Sequence, residues 1–246
     1  MDYIKDDETL DDLQLKGIKV IQKKDAFRFG VDAVLLANFA KVPRGGRVVD
    51  LCSGTGIVPF ILAGKTEAIN ITGVELQEDM VEMAGRTVKY NALEDKVQFI
   101  NGDIKDLNML KSLPKASVVT VNPPYKLKNS GLISKEDKNA IARHEICCCL
   151  EDVIIACKEV LKDNGRMYMV HRPERMADAL CLMRKYRMEP KVIQMIHPSK
   201  NKAPNIFLVE AQKYGGTFLK WEPPLYIYNE EGQFSEELNR IYGRII

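Results

Sequence analysis

The stretch "VVDLCSGTG", residues 48–56, decides the fold. Val48, Val49 and Leu51 read as a core strand, broken off by Gly54 and Gly56. Directly behind them "GIVPFILAG" (56–64) opens an apolar run suited to a short helix. A glycine-rich turn between a strand and a helix lets the backbone approach a ligand closely and leaves the first helical N–H groups without partners. In dinucleotide-binding folds such groups hold a pyrophosphate. Asp50 changes that expectation, because an acidic residue at the mouth of the turn disfavours phosphate and favours a cationic ligand.

Outward from this turn, strand-like and helix-like segments alternate. "RVVDLC" (47–52), "INITGVEL" (69–76), "VQFINGD" (97–103), "ASVVTVN" (116–122) and "RMYMVHR" (166–172) are predicted strands. Predicted helices fall in "QEDMVEMAGRTVKYN" (77–91), with acidic residues in its first turn, and in "IKDLNMLKSL" (104–113). Another fills "EICCCLEDVIIACKEVLKDNG" (145–165), closed by Gly165, and one more fills "PERMADALCLMRKY" (173–186), with Pro173 at its start. "KVIQMI" (191–196) and "IFLVEAQK" (206–213) have no helix between them and are expected to pair as an antiparallel hairpin. The result is an α/β fold, a mostly parallel seven-stranded sheet ending in an antiparallel hairpin, with helices on both faces. A single domain over 1–246 is expected: an N-terminal extension (1–45), a core (46–213) and a tail (214–246) packed on that core.

The amino and sulfonium groups of S-adenosylmethionine meet the need for a cationic ligand at the turn formed by Cys52, Ser53, Gly54 and Gly56. Glu75 strengthens the reading. It lies 19 residues after Gly56, at the end of the second core strand, where a carboxylate can bind both ribose hydroxyls. Asp103, ending the third strand, is placed to accept from the adenine amino group, with Leu76 and Ile104 as apolar neighbours of the ring. Carboxylates at the ends of successive strands share one edge of a parallel sheet, and ligands bind at that edge.

The fourth strand ends in "NPPY" (122–125) at the same edge. Pro123 pushes Asn122 out of the helical region, each proline fixes its own φ, and neither offers an N–H. The segment therefore cannot close into a helix, and its carbonyls stay open to another partner. The Asn122 side-chain carbonyl and the Pro123 backbone carbonyl can accept both protons of one flat –NH2 group. Tyr125 can stack on the ring carrying that group, a contact worth about 1–3 kcal/mol. An exocyclic amine is weakly nucleophilic, and its proton need not leave before attack. Two aimed acceptors stabilise the charge that grows on nitrogen, at ~3 kcal/mol per dipole, and no strong base is required. Asn122, Pro123, Pro124 and Tyr125 are the expected catalytic set, with Asn122 also bordering the cofactor.

With these motifs the chain resembles the class I, Rossmann-like S-adenosylmethionine-dependent methyltransferases over about residues 45–213. Cys52 departs from that pattern, since many members have a glycine there; being small, it is expected to be tolerated. "NPPY" resembles the signature of enzymes that methylate adenine N6, guanine N2 or glutamine N5. "RFGVDAVLLANFA" (28–40), "NPPY", "AIARHE" (140–145), "VHRP" (170–173) and "IFLVEA" (206–211) are similar to the bacterial tRNA1(Val) adenine-37 N6-methyltransferases. That resemblance implies that Phe29, Gly30 and Asp32 lie near the methionine end of the cofactor. The alternative for residues 31–40 is an amphipathic helix covering the sheet. A tRNA partner would meet the basic residues Lys126, Lys128, Arg172, Lys200 and Lys202, and the 126–143 loop is expected to order on RNA. Release-factor glutamine N5-methyltransferases resemble the chain in "NPPY" but carry a helical domain ahead of the core, for which 46 residues are too few. DNA adenine enzymes insert a target-recognition region with no counterpart here, and an rRNA guanine N2 target or a non-catalytic RNA-binding module are further alternatives.

Composition narrows the rest. The net charge of +2 excludes a generally basic nucleic-acid-coating protein but not a local basic rim. No apolar run reaches the ~18 residues of a membrane span. The acidic start "MDYIKDDETLDD" is no signal peptide, so a cytoplasmic protein is expected. Neither the six cysteines, Cys147, Cys148 and Cys149 among them, nor the three histidines match a metal-binding spacing, so no metal is expected. A monomer is favoured.

Overall fold

The computed structural model describes residues 3–24, 30–124 and 148–244. Two short strands, β1 (Glu8–Asp12) and β2 (Lys19–Lys23), form an antiparallel hairpin. Then follow α1 (Val31–Phe39), β3 (Arg47–Leu51), α2 (Ile57–Lys65), β4 (Asn70–Glu75), α3 (Glu78–Tyr90), β5 (Val97–Asn101), α4 (Leu107–Ser112) and β6 (Ala116–Val121). After the undescribed segment come α5 (Leu150–Val160), β7 (Leu161–His171), a 3₁₀ turn (Pro173–Arg175), α6 (Met176–Lys185), β8 (Met188–His197) and β9 (Ile206–Lys213). The tail adds β10 (Lys220–Trp221), β11 (Leu225–Tyr226) and α7 (Glu236–Ile241).

The main sheet has the order β10-β8-β9-β7-β6-β3-β4-β5, with β11 also pairing with β8. Strands β3 to β7 are parallel, and β9 runs antiparallel between β7 and β8. The expected hairpin of β8 and β9 therefore exists, with β9 on the inside. Because β9 is inverted, β8 again points the same way as β3, so the β8–β9 connection lies at the carboxyl edge of the sheet.

Alternation along each strand makes two cores. Val48, Ile71, Val118 and Tyr168 pack under α1, α2 and α7, while Val49, Leu51, Val119, Val121 and Met169 pack under α5 and α6. Each fully buried aliphatic side chain contributes roughly 1.5–3 kcal/mol. The parity carries to the strand ends, so Asp50, Thr120 and Glu75 fall on the α1–α2 side of the sheet.

Several expectations change. The sheet holds nine strands rather than seven, because the tail supplies β10 and β11 and buries Leu238 completely. The predicted helix over 145–165 stops at Val160, because Leu161 turns extended to pair with Ala116, and Gly165 lies inside β7. Cys148 and Cys149 precede that helix, with Cys149 as its N-cap, and Cys147 lies outside the described residues. Helix α1 is not amphipathic: Ala33 to Ala37 are all buried, because it is wedged between the sheet, α2 and the tail. The N-terminal extension is a hairpin locked to α3. Arg86 donates from Nη1 and Nη2 to the Glu8 carboxylate, each at 2.6 Å, and Asn91 clamps the backbone of Lys19 at 2.9 and 2.7 Å.

Candidate active site

The turn after β3 is built from left-handed residues. Cys52 (φ 56°), Gly54 (φ 54°) and Gly56 (φ 87°) alternate with ordinary backbone. Gly56 caps α2, and a Cβ there would meet the Phe99 ring at 2.4 Å, so only glycine fits. Cys52 carries the cost of a side chain in this conformation, of order 1 kcal/mol. The neighbouring Cys148 thiol, and then desolvation, push the pKa of the half-buried Cys52 well above the ordinary value, while the same interaction lowers that of Cys148.

Asp50 ends inside this turn and is 2 % exposed. Its Oδ2 accepts from Ser53 Oγ at 2.6 Å and its Oδ1 from Thr120 Oγ1 at 2.5 Å. Burial pushes the carboxyl up to about 7, against the pull of the two hydroxyls. Gly73 is the register partner of Asp50 on β4, and a Cβ there would stand 2.7 Å from Ser53 Oγ. The absent side chain thus makes room for the Ser53–Asp50 bond.

Glu75, buried at the end of β4, accepts from the Gly54 N–H at 2.8 Å and the Gln77 N–H at 3.0 Å. Oε1 also accepts from the Gln77 side-chain amide at 3.4 Å, so the open lone-pair capacity for a further donor lies on Oε2. Leu76 is exposed and Ile104 buried. Asp103 stands two residues beyond the end of β5 rather than at its end, and its Oδ1 accepts from the Lys105 N–H at 2.8 Å.

This donor set suits S-adenosylmethionine. Two buried carboxylates lie within reach of one open backbone turn, an apolar side chain is left exposed beside Glu75, and the space beside Gly54, where a side chain would stand, is open. Among the described residues no group of three or more His, Cys, Asp or Glu could hold a metal ion, and no helix is long and apolar enough to cross a membrane.

On the neighbouring strand, β6 runs out at Val121 beside β3, and Asn122 follows half-buried, Pro123 buried and Pro124 exposed. Tyr125, Lys126, Lys128, Phe29 and the 126–143 loop lie outside the described residues. Gly30 is the N-cap of α1 and Asp32 lies in its first turn. Arg172 leaves β7 at the carboxyl edge and donates from Nη1 to the Asn205 carbonyl at 3.0 Å. Lys200 and Lys202 sit in the β8–β9 connection at that edge. Sequence reasoning missed Thr120, Gly73 and Asn101, whose side-chain amide donates to the Glu75 and Leu76 carbonyls at 3.1 and 2.9 Å. Their signal was positional: each lies on a strand next to a residue already singled out, and only the register reveals it. Gln22 of the hairpin also reaches Thr55 of the turn, at 3.5 Å.

Comparison with known proteins agrees with this fold. The model of the methyltransferase small domain family matches residues 29–193. A tRNA1(Val) (adenine(37)-N6)-methyltransferase of Porphyromonas gingivalis is 25% identical, covering 94% of this chain and 93% of its own. A structure from Agrobacterium tumefaciens, described as a predicted O-methyltransferase, superposes with a TM-score of 0.70 at 23% identity, over 87% of this chain and 96% of its own. Geranyl diphosphate C-methyltransferase from Streptomyces coelicolor, solved with S-adenosyl-L-homocysteine, has a TM-score of 0.55 at 13% identity, over 74% and 75% of the two chains. At such identities the two structures carry the fold alone.

Proposed function

The chain belongs to the methyltransferase small domain family, and on that premise we propose that it methylates N6 of an adenine in a tRNA anticodon loop, adenine 37 of tRNA1(Val). The observation that carries this reading is the placement of Asn122 and Pro123 directly after the strand that pairs with the Asp50 strand, at one sheet edge. The full-length similarity to the enzyme of Porphyromonas gingivalis supports the choice of base and RNA.

Each part of the site has a task in this reading. S-adenosylmethionine supplies the electrophilic methyl group when bound. Asp50 faces its ammonium, Glu75 takes the ribose hydroxyls, and Leu76 and Ile104 flank the adenine, with Asp103 near its amino group. Cys52, Ser53, Gly54 and Gly56 shape the turn, and Phe29, Gly30 and Asp32 close the methionine end. The Asn122 side-chain carbonyl and the Pro123 carbonyl each accept one proton of the target amine, with Pro124 stiffening the segment. This orients the nitrogen lone pair and stabilises the positive charge that develops on it. Tyr125 stacks on the target base. An anticodon loop already presents unstacked bases, so little energy is spent on flipping. Arg172, Lys200 and Lys202, with Lys126 and Lys128, meet the phosphates.

The test is nucleoside mass spectrometry of tRNA from a strain lacking the gene. Loss of N6-methyladenosine from one tRNA species, 3′ of the anticodon, is expected. Loss of N2-methylguanosine instead would keep the mechanism and change the base. Unchanged tRNA with under-methylated release factor would transfer the same site to a glutamine amide.

A further inference from the structure

Asp50 and Thr120 are register partners on adjacent parallel strands. The hydroxyl of Thr120 is completely buried and donates to Asp50 Oδ1 at 2.5 Å. Two residues further along the chain, just past the end of β6, comes Asn122, so the strand that carries Thr120 leads directly into the amine-holding segment. We propose that Thr120 is a positioning residue that holds the Asp50 carboxylate ready for the cofactor's ammonium, from the strand that leads into the amine-holding segment. The inference rests on the reading of this edge as the S-adenosylmethionine site.

The physical argument starts from burial. Asp50 is 2 % exposed, and an isolated buried carboxylate takes up a proton rather than keep its charge. Two hydroxyl donors oppose that, Ser53 from the turn and Thr120 from β6. The titratable groups that act with it are Glu75 at the end of β4, whose charge favours the protonated form, and the Cys157 thiol from α5, itself pushed up by burial and by Asp50. The α2 face contributes only apolar side chains around the turn. With its carboxyl held near neutrality, Asp50 is protonated in part of the unliganded chain, and binding a cation favours the ionised form. Cofactor binding therefore releases a proton, and its affinity weakens as the pH falls below about 7. Thr120 sets where that happens, because its hydrogen bond stabilises only the charged form to the full extent.

The experiment measures S-adenosylmethionine affinity by calorimetry across the neutral pH range for the wild-type chain, Thr120→Val and Thr120→Ser. Wild-type affinity is expected to fall with acid by up to about tenfold per pH unit. Thr120→Val, nearly isosteric, is expected to move the midpoint upward by about one pH unit. Thr120→Ser restores the donor and should leave the midpoint in place. Thr120→Cys offers only a weak donor and should move it in the same direction as valine, giving a second variant if valine does not fold. A midpoint shared by the wild-type and both donor-poor chains overturns the role of Thr120. Failure of the wild-type chain to bind the cofactor at any pH would instead overturn the reading of the site beneath it.

Discussion

The carboxylate of Glu75 accepts a hydrogen bond from the backbone N–H of Gly54 at 2.8 Å, joining the end of β4 to the turn after β3. One side chain therefore shapes the glycine turn and offers its remaining lone pairs to a ligand. Replacing it removes both contributions together. Glu75→Ala is expected to lower S-adenosylmethionine affinity at least about tenfold, since a hydrogen-bonded charge is worth ~1.5–3 kcal/mol. Calorimetry checks this, and an affinity within error of the wild type would remove Glu75 from the site.

Asn122→Ala is expected to separate the two halves of the reaction. Methyl transfer should drop by two orders of magnitude or so, as on loss of an aimed dipole. Cofactor affinity should stay within about twofold. Parallel loss of both would mark Asn122 as part of the scaffold at the end of β6.

The basic rim predicts a salt signature. Replacing Lys200 and Lys202 together with glutamine should flatten the slope of log affinity against log salt by up to ~2 units, measured on tRNA. Both lie in the β8–β9 connection, away from Asp50 and Glu75, so cofactor affinity should not change. An unaltered slope would place the RNA elsewhere on the surface.

His171 gives a pH dependence of known sign. Burial and the nearby Arg175 push its pKa down to about 4, below its unfolded value near 6.5. The unfolded chain therefore takes up a proton that the folded chain refuses as the pH falls from about 6.5 to 4. Stability from this group is full above that window and is lost through it, by on the order of 3 kcal/mol. Asp50, held near 7, works in the opposite sense over an overlapping range, so the comparison must be with a variant. His171→Gln is expected to gain stability relative to the wild type as the pH is lowered, followed by urea unfolding at several pH values. A difference independent of pH would refute the assignment.

The order of strands and helices was legible because period-2 and period-3.6 patterns and the two motif turns are local properties. The positions of Asp50, Glu75 and Asn122 at strand ends, and of Gly56 in the turn before a helix, could be read from the chain because each is set by its immediate neighbours. Thr120, Gly73 and Asn101 could not, since each matters through a partner on another strand, and no short stretch of chain contains both. The helix over 150–160 was drawn too long for a related reason. "LKDN" keeps helical propensity, yet Leu161 gains more from joining β7 against Ala116 than from another turn. The hairpin of β1 and β2 is hard to read because each strand is five residues long and bounded by charged residues, acidic in β1 and basic in β2, without an alternating apolar stripe. The Glu8–Arg86 ion pair that fixes it spans most of the first third of the chain.

The inverted strand β9 has a consequence for how such a protein can diversify. It returns the chain between β8 and β9 to the carboxyl edge, so residues 198–205 border the reaction edge while being rooted in strands remote from β3 and β4. Their length and charge can drift without altering the backbone that cradles the methyl donor. The two halves of the edge can then evolve as separate modules, one conserving the chemistry while the other trades one target for another.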